Sequence, residues 1–131
     1  MDVLGSRVLL HPTDFDRSVH WYDEVLGLHR AREFGAGGRI TGVVYFMGGG
    51  FLEVSAPGRR EVDAVGAGMG LWLQVRDVDG EHGRVAALGA NVLVPPETMP
   101  WGLRECWVAD PDDLRICLVQ VPDDHPLRRR Y

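Results

Sequence analysis

One carboxylate stands where an apolar side chain would be expected. In FLEVSAPG, residues 51–58, Glu53 lies among Phe51, Leu52 and Val54 in a run that reads as a strand ending in a proline turn. In a half-buried strand such a side chain either faces water or sits in a cavity with a cation, and the second arrangement would be function. The other residues able to do chemistry are few. His11, just before a proline, reads as a base, a spare ligand or a hydrogen-bonded wall residue. Cys106 and Cys117 have neither the spacing of a zinc motif nor the density of a disulfide scaffold, which predicts two reduced core cysteines. No serine, cysteine and histidine constellation suggests a nucleophilic triad. The glycine runs MGGGF and GAGMG precede apolar strand-like runs, so they lack the helix N-terminus that phosphate cradles use. Trp72, Trp101 and Trp107, with Phe51 behind them, offer flat surfaces suited to planar aromatic ligands. Tryptophans also fill small cores, and Trp107 fits that reading equally well. Trp101, in MPWGL, reads as a lid or the edge of a cleft.

The elements that must position these residues appear when the chain is laid against itself. RVLLHPTDFDRSVHWYDEVLGL, residues 7–28, is an extended run, then Asp-x-Asp, then a helical pattern closing in Leu-Gly. GLWLQVRDVDGEHGRVAALGANV, residues 70–92, repeats that order, with Asp14 and Asp16 matching Asp77 and Asp79, and Leu26-Gly27 matching Leu88-Gly89. An internal repeat of this kind predicts a duplicated supersecondary unit. In the first helix Phe15, Val19, Tyr22 and Leu26 form one apolar stripe, Thr13 is placed to cap it with Asp16 three residues on, and Gly27 ends it. In the second, Val78, His82, Val85 and Leu88 or Ala87 hold the stripe, Asp77 caps and Gly89 closes. Strand-like runs follow at about 29–35, 40–47, 51–55, 91–95, 104–109 and 114–120. The pattern predicts an α+β fold of two tandem βαβββ modules, about 1–58 and 68–122, with a tail over 123–131. Their mixed sheets are expected to curl around a cleft with the helices outside. Strand alternation then turns Arg7, Leu9 and His11, Gly70, Trp72 and Gln74, and Phe51, Glu53 and Ser55 toward the cleft.

Length and charge narrow the classes. At 131 residues and 45% hydrophobic the chain is one compact domain or two small halves sharing a core. A net charge of -5 argues against nucleic acid, which selects a basic face. Arg128, Arg129 and Arg130 read as a solvated end. MDVLGSRVLLHP has no signal-peptide pattern, so a cytoplasmic location is expected. The longest uncharged run, Ile40 to Leu52, is too short and glycine-rich for a membrane span, which takes roughly 20 apolar residues.

DFDRSVHWYDEVLGL resembles the helix signature of the vicinal oxygen chelate superfamily, which includes glyoxalase I, extradiol dioxygenases and bleomycin resistance proteins. PWGLRECWVADPDD resembles its second-half signature, and FLEV and LWLQVRDVD extend the likeness over nearly the whole chain. Asp113 stands where the family commonly has glycine in the hairpin. The resemblance implies paired βαβββ modules, a homodimer and, in the enzymes, a divalent metal on the first and fourth strands of the modules. The matching positions here are Arg7, Glu53, Gly70 and Cys117. Arginine cannot shed its proton to become a ligand, so no metal or other cofactor is expected. Arg7 and Glu53 fall on neighbouring strands facing one cleft, so a guanidinium paired bidentately with Glu53 is expected at the metal's place, whereas a register shifted by one would leave Glu53 exposed on an edge.

Two functions follow. The first is a metal-free protein that sequesters an apolar or aromatic small molecule, such as an antibiotic, with Arg7, Leu9, His11, Phe51, Glu53, Trp72, Gln74, Trp101, Trp107 and Cys117 lining the site. The second is a glyoxalase- or dioxygenase-like lyase, isomerase or oxygenase with an atypical metal site, or with Glu53 or His11 as base. The reading favours binding over catalysis, because loss of the ligands removes the shared chemistry while the aromatic residues remain.

Overall fold

The computed structural model describes residues 1–56 and 68–128. The expected turn at Pro57-Gly58, the start of GAGMG, and Arg129 and Arg130 lie outside these residues. The chain forms two compact units, Met1–Val65 and Gly66–Tyr131.

In the first unit the order is β1 (Arg7–Leu10), α1 (Phe15–His20), β2 (Arg30–Ala36), β3 (Arg39–Met47) and β4 (Gly50–Ser55). The sheet order is β1-β4-β3-β2, with β1 parallel to β4 and the other pairs antiparallel. The second unit repeats this plan with β5 (Gly70–Gln74), α2 (Val78–Ala87), β6 (Asn91–Thr98), β7 (Arg104–Ala109) and β8 (Arg115–Gln120), in sheet order β5-β8-β7-β6. The two βαβββ modules predicted from the repeat are present as two mixed sheets, each with one helix.

Helix α1 begins at Asp14, not Thr13. Asp14 is extended (φ -130°) and its Oδ1 accepts the Arg17 amide at 3.1 Å, so the carboxylate supplies the cap expected from the threonine. Beyond His20 the helix widens into a π-helical segment, Trp21–Leu26, which ends where Gly27 turns left-handed (φ 80°) and donates to Tyr22 O five residues back. Widening turns both Trp21 and Tyr22, and both Val25 and Leu26, into the core, a broader stripe than the predicted one. Tyr22 packs on Tyr45 with ring centroids 6.0 Å apart, seating the helix on the sheet face that also carries Val43, Leu52 and Val54. In α2 the Asp77 cap forms as expected, its Oδ1 accepting from Gly80 N at 3.1 Å. Its stripe is shorter than predicted: Val78 and Val85 are buried, whereas Leu88 lies past the helix end and is exposed.

The second unit contains the same hairpin twice. In Met99–Leu103 and Asp110–Leu114 the first residue donates to the fifth residue's carbonyl, and the fourth donates back to the first. Pro100 and Pro111 each occupy the second position, and the fourth is left-handed, Gly102 at φ 90° and Asp113 at φ 66°. Asp113 therefore keeps the turn that glycine would make. Asp110 Oδ1 braces it, accepting from the Asp112 and Leu114 amides at 2.8 Å each.

Arg128 is exposed, as a solvated end would be, and is also held by hydrogen bonding. Its Nε donates to Val121 O at 2.9 Å, and His125 Nε2 lies 3.0 Å from Trp101 O.

Candidate functional site

Each sheet has one face under its helix, and the opposite face carries the candidate residues. In the first unit the register sets Arg7 beside Phe51, and Leu9 beside Glu53, with Val44 and Phe46 on the far side of β4. Phe34 lies across Gly42 so closely that any Cβ there would collide with its ring, which is why a glycine interrupts β3. Leu9, Phe46 and Phe51 are exposed, and Phe46 and Phe51 stack at 5.8 Å.

Glu53 is not free in water. Arg7 Nη1 donates to its Oε1 at 2.9 Å, and Ser55 Oγ donates to Oε2 at 3.1 Å. The pair is single-stranded rather than bidentate, because the serine occupies the second oxygen. The Arg7 guanidinium also sits 6.0 Å from the Phe51 ring centroid. His11 Nδ1 lies 3.4 Å from both Ser55 O and Ser55 Oγ, which makes it a hydrogen-bonded neighbour of the pair.

In the second unit Cys117 lies between Trp72 on β5 and Trp107 on β7, its register partners on either side. Trp107 packs on a buried cluster of Leu103, Cys117, Val119 and Val121, while Trp72 is half exposed and Gln74 is exposed farther along β5. At Gly70 a Cβ would lie 3.1 Å from Arg115 O and 3.8 Å from the Trp107 ring. The turn at Pro100 folds Trp101 back so that its Nε1 donates to Glu105 Oε2 at 2.8 Å. The Cys117 thiol points to Glu105 Oε1 at 3.8 Å. Burial, with the Glu105 charge beside it, pushes this thiol up to about 12. Both cysteines are free and buried.

Glu105 is a buried carboxylate on the candidate face that the sequence reading passed over. It is only 9% exposed and sits on the face of Trp72 and Trp107. Its signal was available, since period two in RECWVA places Glu105 with Trp107. Its neighbour Arg104 points to the other face and binds Asp79 at 2.7 and 2.8 Å.

The residues at the four family metal positions do not fit a divalent ion. Arg7 has no lone pair to give, Gly70 has no side chain, Cys117 is held as the thiol, and one oxygen of Glu53 accepts from Arg7. Among the described residues no three His, Cys, Asp or Glu side chains converge.

Comparison with known proteins agrees with the fold. The chain superposes on TioX from Micromonospora sp. ML1 with a TM-score of 0.72 at 29% identity, over 89% of this chain and 95% of that one. A glyoxalase-related enzyme from Fulvimarina pelagi gives 0.73 at 21% identity, over 93% and 90% of the two chains. TnmS3, an antibiotic binding protein from Streptomyces sp. CB03234, gives 0.72 at 21%, over 92% and 98%. The curated proteins gave no match. The family model described as Glyoxalase/Bleomycin resistance protein/Dioxygenase superfamily matches residues 6–118, and the chain belongs to that superfamily.

Proposed function

We propose that the protein binds a small, largely apolar or aromatic molecule without a metal, as an antibiotic-sequestering member of its superfamily does. The observation that carries this reading is the 2.9 Å contact from Arg7 to Glu53, which satisfies the one good ligand at the family's metal positions with a side chain. The exposed indoles of Trp72 and Trp101 supply the surface for a planar ligand, with Trp107 and Cys117 forming the floor between them and Gln74 at the edge. In the first unit Leu9, His11 and Phe51 flank the ion pair. TnmS3 shares the fold and binds an antibiotic, so the architecture accommodates such use. The protein works in the cytoplasm as a homodimer.

A second reading rests on the chain from Glu53 through Ser55 to His11. A histidine oriented in this way is placed to act as a base in a lyase or isomerase. Two measurements on purified protein separate the readings. Elemental analysis with less than about 0.1 divalent ion per chain, together with quenching of tryptophan emission by planar aromatic compounds, supports binding. One Ni, Zn, Fe or Mn per chain, or turnover of a bound compound abolished by His11→Gln, overturns it. Sedimentation at micromolar concentration tests the dimer.

A further inference from the structure

Glu105 is a buried carboxylate whose partners are all neutral. Its Oε2 accepts from the Trp101 indole and its Oε1 faces the Cys117 thiol, a weak donor, and no arginine or histidine among the described residues pairs with it. An ionised carboxylate offers about four lone-pair directions, so acceptor capacity remains after these two contacts. The register then adds a second negative group, because Glu97 on β6 stands directly across from Glu105 on β7. Like charges in directly opposed positions destabilise a sheet, and an exposed arginine or lysine at 97 would have relieved the buried one. Trp72 and Trp107 share this face, and Trp101, whose indole N–H meets the carboxylate, is 55% exposed as a residue.

A buried carboxylate without a cationic partner among the described residues, on a sheet face that also carries Trp72 and Trp107, is the complement of an organic cation, since the carboxylate takes ammonium hydrogens while aromatic rings attract the same charge. We infer that Glu105, supported by Glu97, is a subsite for a protonated amine, so that the ligand is a planar aromatic compound carrying a cationic amino group. The inference rests on the binding reading above and deepens it. The excess of 19 acidic over 14 basic residues gives such a ligand a favourable approach.

The test compares three probes with one ring: 1-naphthylmethylamine, 1-naphthalenemethanol and 1-naphthoic acid, titrated calorimetrically into the full chain at neutral pH. The expected order is amine, alcohol, acid, with the amine preferred over the alcohol by about tenfold. Glu105→Gln should bring the amine to within about twofold of the alcohol. If Glu105→Gln does not fold, Glu97→Gln, at an exposed position, should still lower the amine's preference by about two- to threefold. Equal binding of amine and alcohol by the unaltered chain overturns the amine subsite and leaves the binding reading intact. A preference that survives both substitutions also overturns it. Failure of all three probes to bind overturns both.

Discussion

Arg7 reaches past its register partner Phe51 to the next residue on the same face of β4, Glu53, and holds one carboxylate oxygen at 2.9 Å. The side chains are 37% and 15% exposed, which places the pair between a surface contact and a buried one. Breaking a fully buried pair on one side costs about 3–5 kcal/mol, whereas exposed pairs couple by less than about 1 kcal/mol. A double-mutant cycle with Arg7→Met and Glu53→Gln is expected to give a coupling of about 1 kcal/mol, the double variant recovering part of the summed losses. Urea unfolding measures it. A coupling indistinguishable from zero would dismiss the pair as a fixed feature of the site.

Asp23 gives an acid-sensitive prediction. Arg30 donates to both of its oxygens at 3.1 and 2.6 Å, and the buried Tyr45 hydroxyl adds a third bond at 3.0 Å. The Arg30 bonds hold the Asp23 carboxyl below the usual carboxylate range, with burial opposing and Tyr45 assisting. Burial pushes the Tyr45 phenol up, and the Asp23 charge adds to it. A folded value below the unfolded one means that the unfolded chain binds the proton more readily. The stabilisation is therefore present above about pH 4 and is lost as pH falls through the lowered folded value. Asp23→Asn should cost about 0.5–1 kcal/mol at pH 7, reduced by solvent screening, and the two unfolding curves should converge toward pH 2.

The thiols should be silent in the folded protein. Burial raises Cys106, and burial with the Glu105 charge raises Cys117, so neither forms thiolate near neutrality. Ellman's reagent at about pH 8 should find no reactive thiol in the native chain and two in guanidinium. A fast native thiol would contradict the buried placement.

The twin hairpins predict opposite effects of one residue type. Asp113 has a left-handed backbone where the equivalent turn has Gly102. Asp113→Gly should stabilise by about 0.5 kcal/mol, relief of strain outweighing the added freedom of the unfolded chain, and Asp113→Val should destabilise by about 1–2 kcal/mol. Gly102→Ala should destabilise by about 1 kcal/mol. Thermal unfolding of the three variants decides it.

How far such features can be read from residues alone varies with the range of the interaction. Asp77 and Gly89 marked α2 because caps act within one turn, and the strand from Arg104 to Ala109 was recovered to the residue as an apolar run bounded by turn residues. Local rules failed where two groups competed for one role. Thr13 and Asp14 could both cap α1, and only the extended backbone at Asp14 decides between them. Trp21 lies outside the predicted stripe, and the π-helical widening brings it inward. Period two shows the face on which Glu105 lies, but not its burial, which depends on a hairpin that returns Trp101 onto it.

That hairpin and its twin also bear on the order in which the second unit assembles. Strands β6, β7 and β8 are joined by two five-residue connections, each with a proline in second place whose φ is already set, so the antiparallel meander can close on the microsecond scale of isolated hairpins. The parallel pairing of β5 with β8 must instead wait for the whole stretch between Gly70 and Arg115 to be drawn together. The strand carrying Trp72 is thus expected to join the sheet last, after the meander that carries Trp101, Glu105 and Trp107.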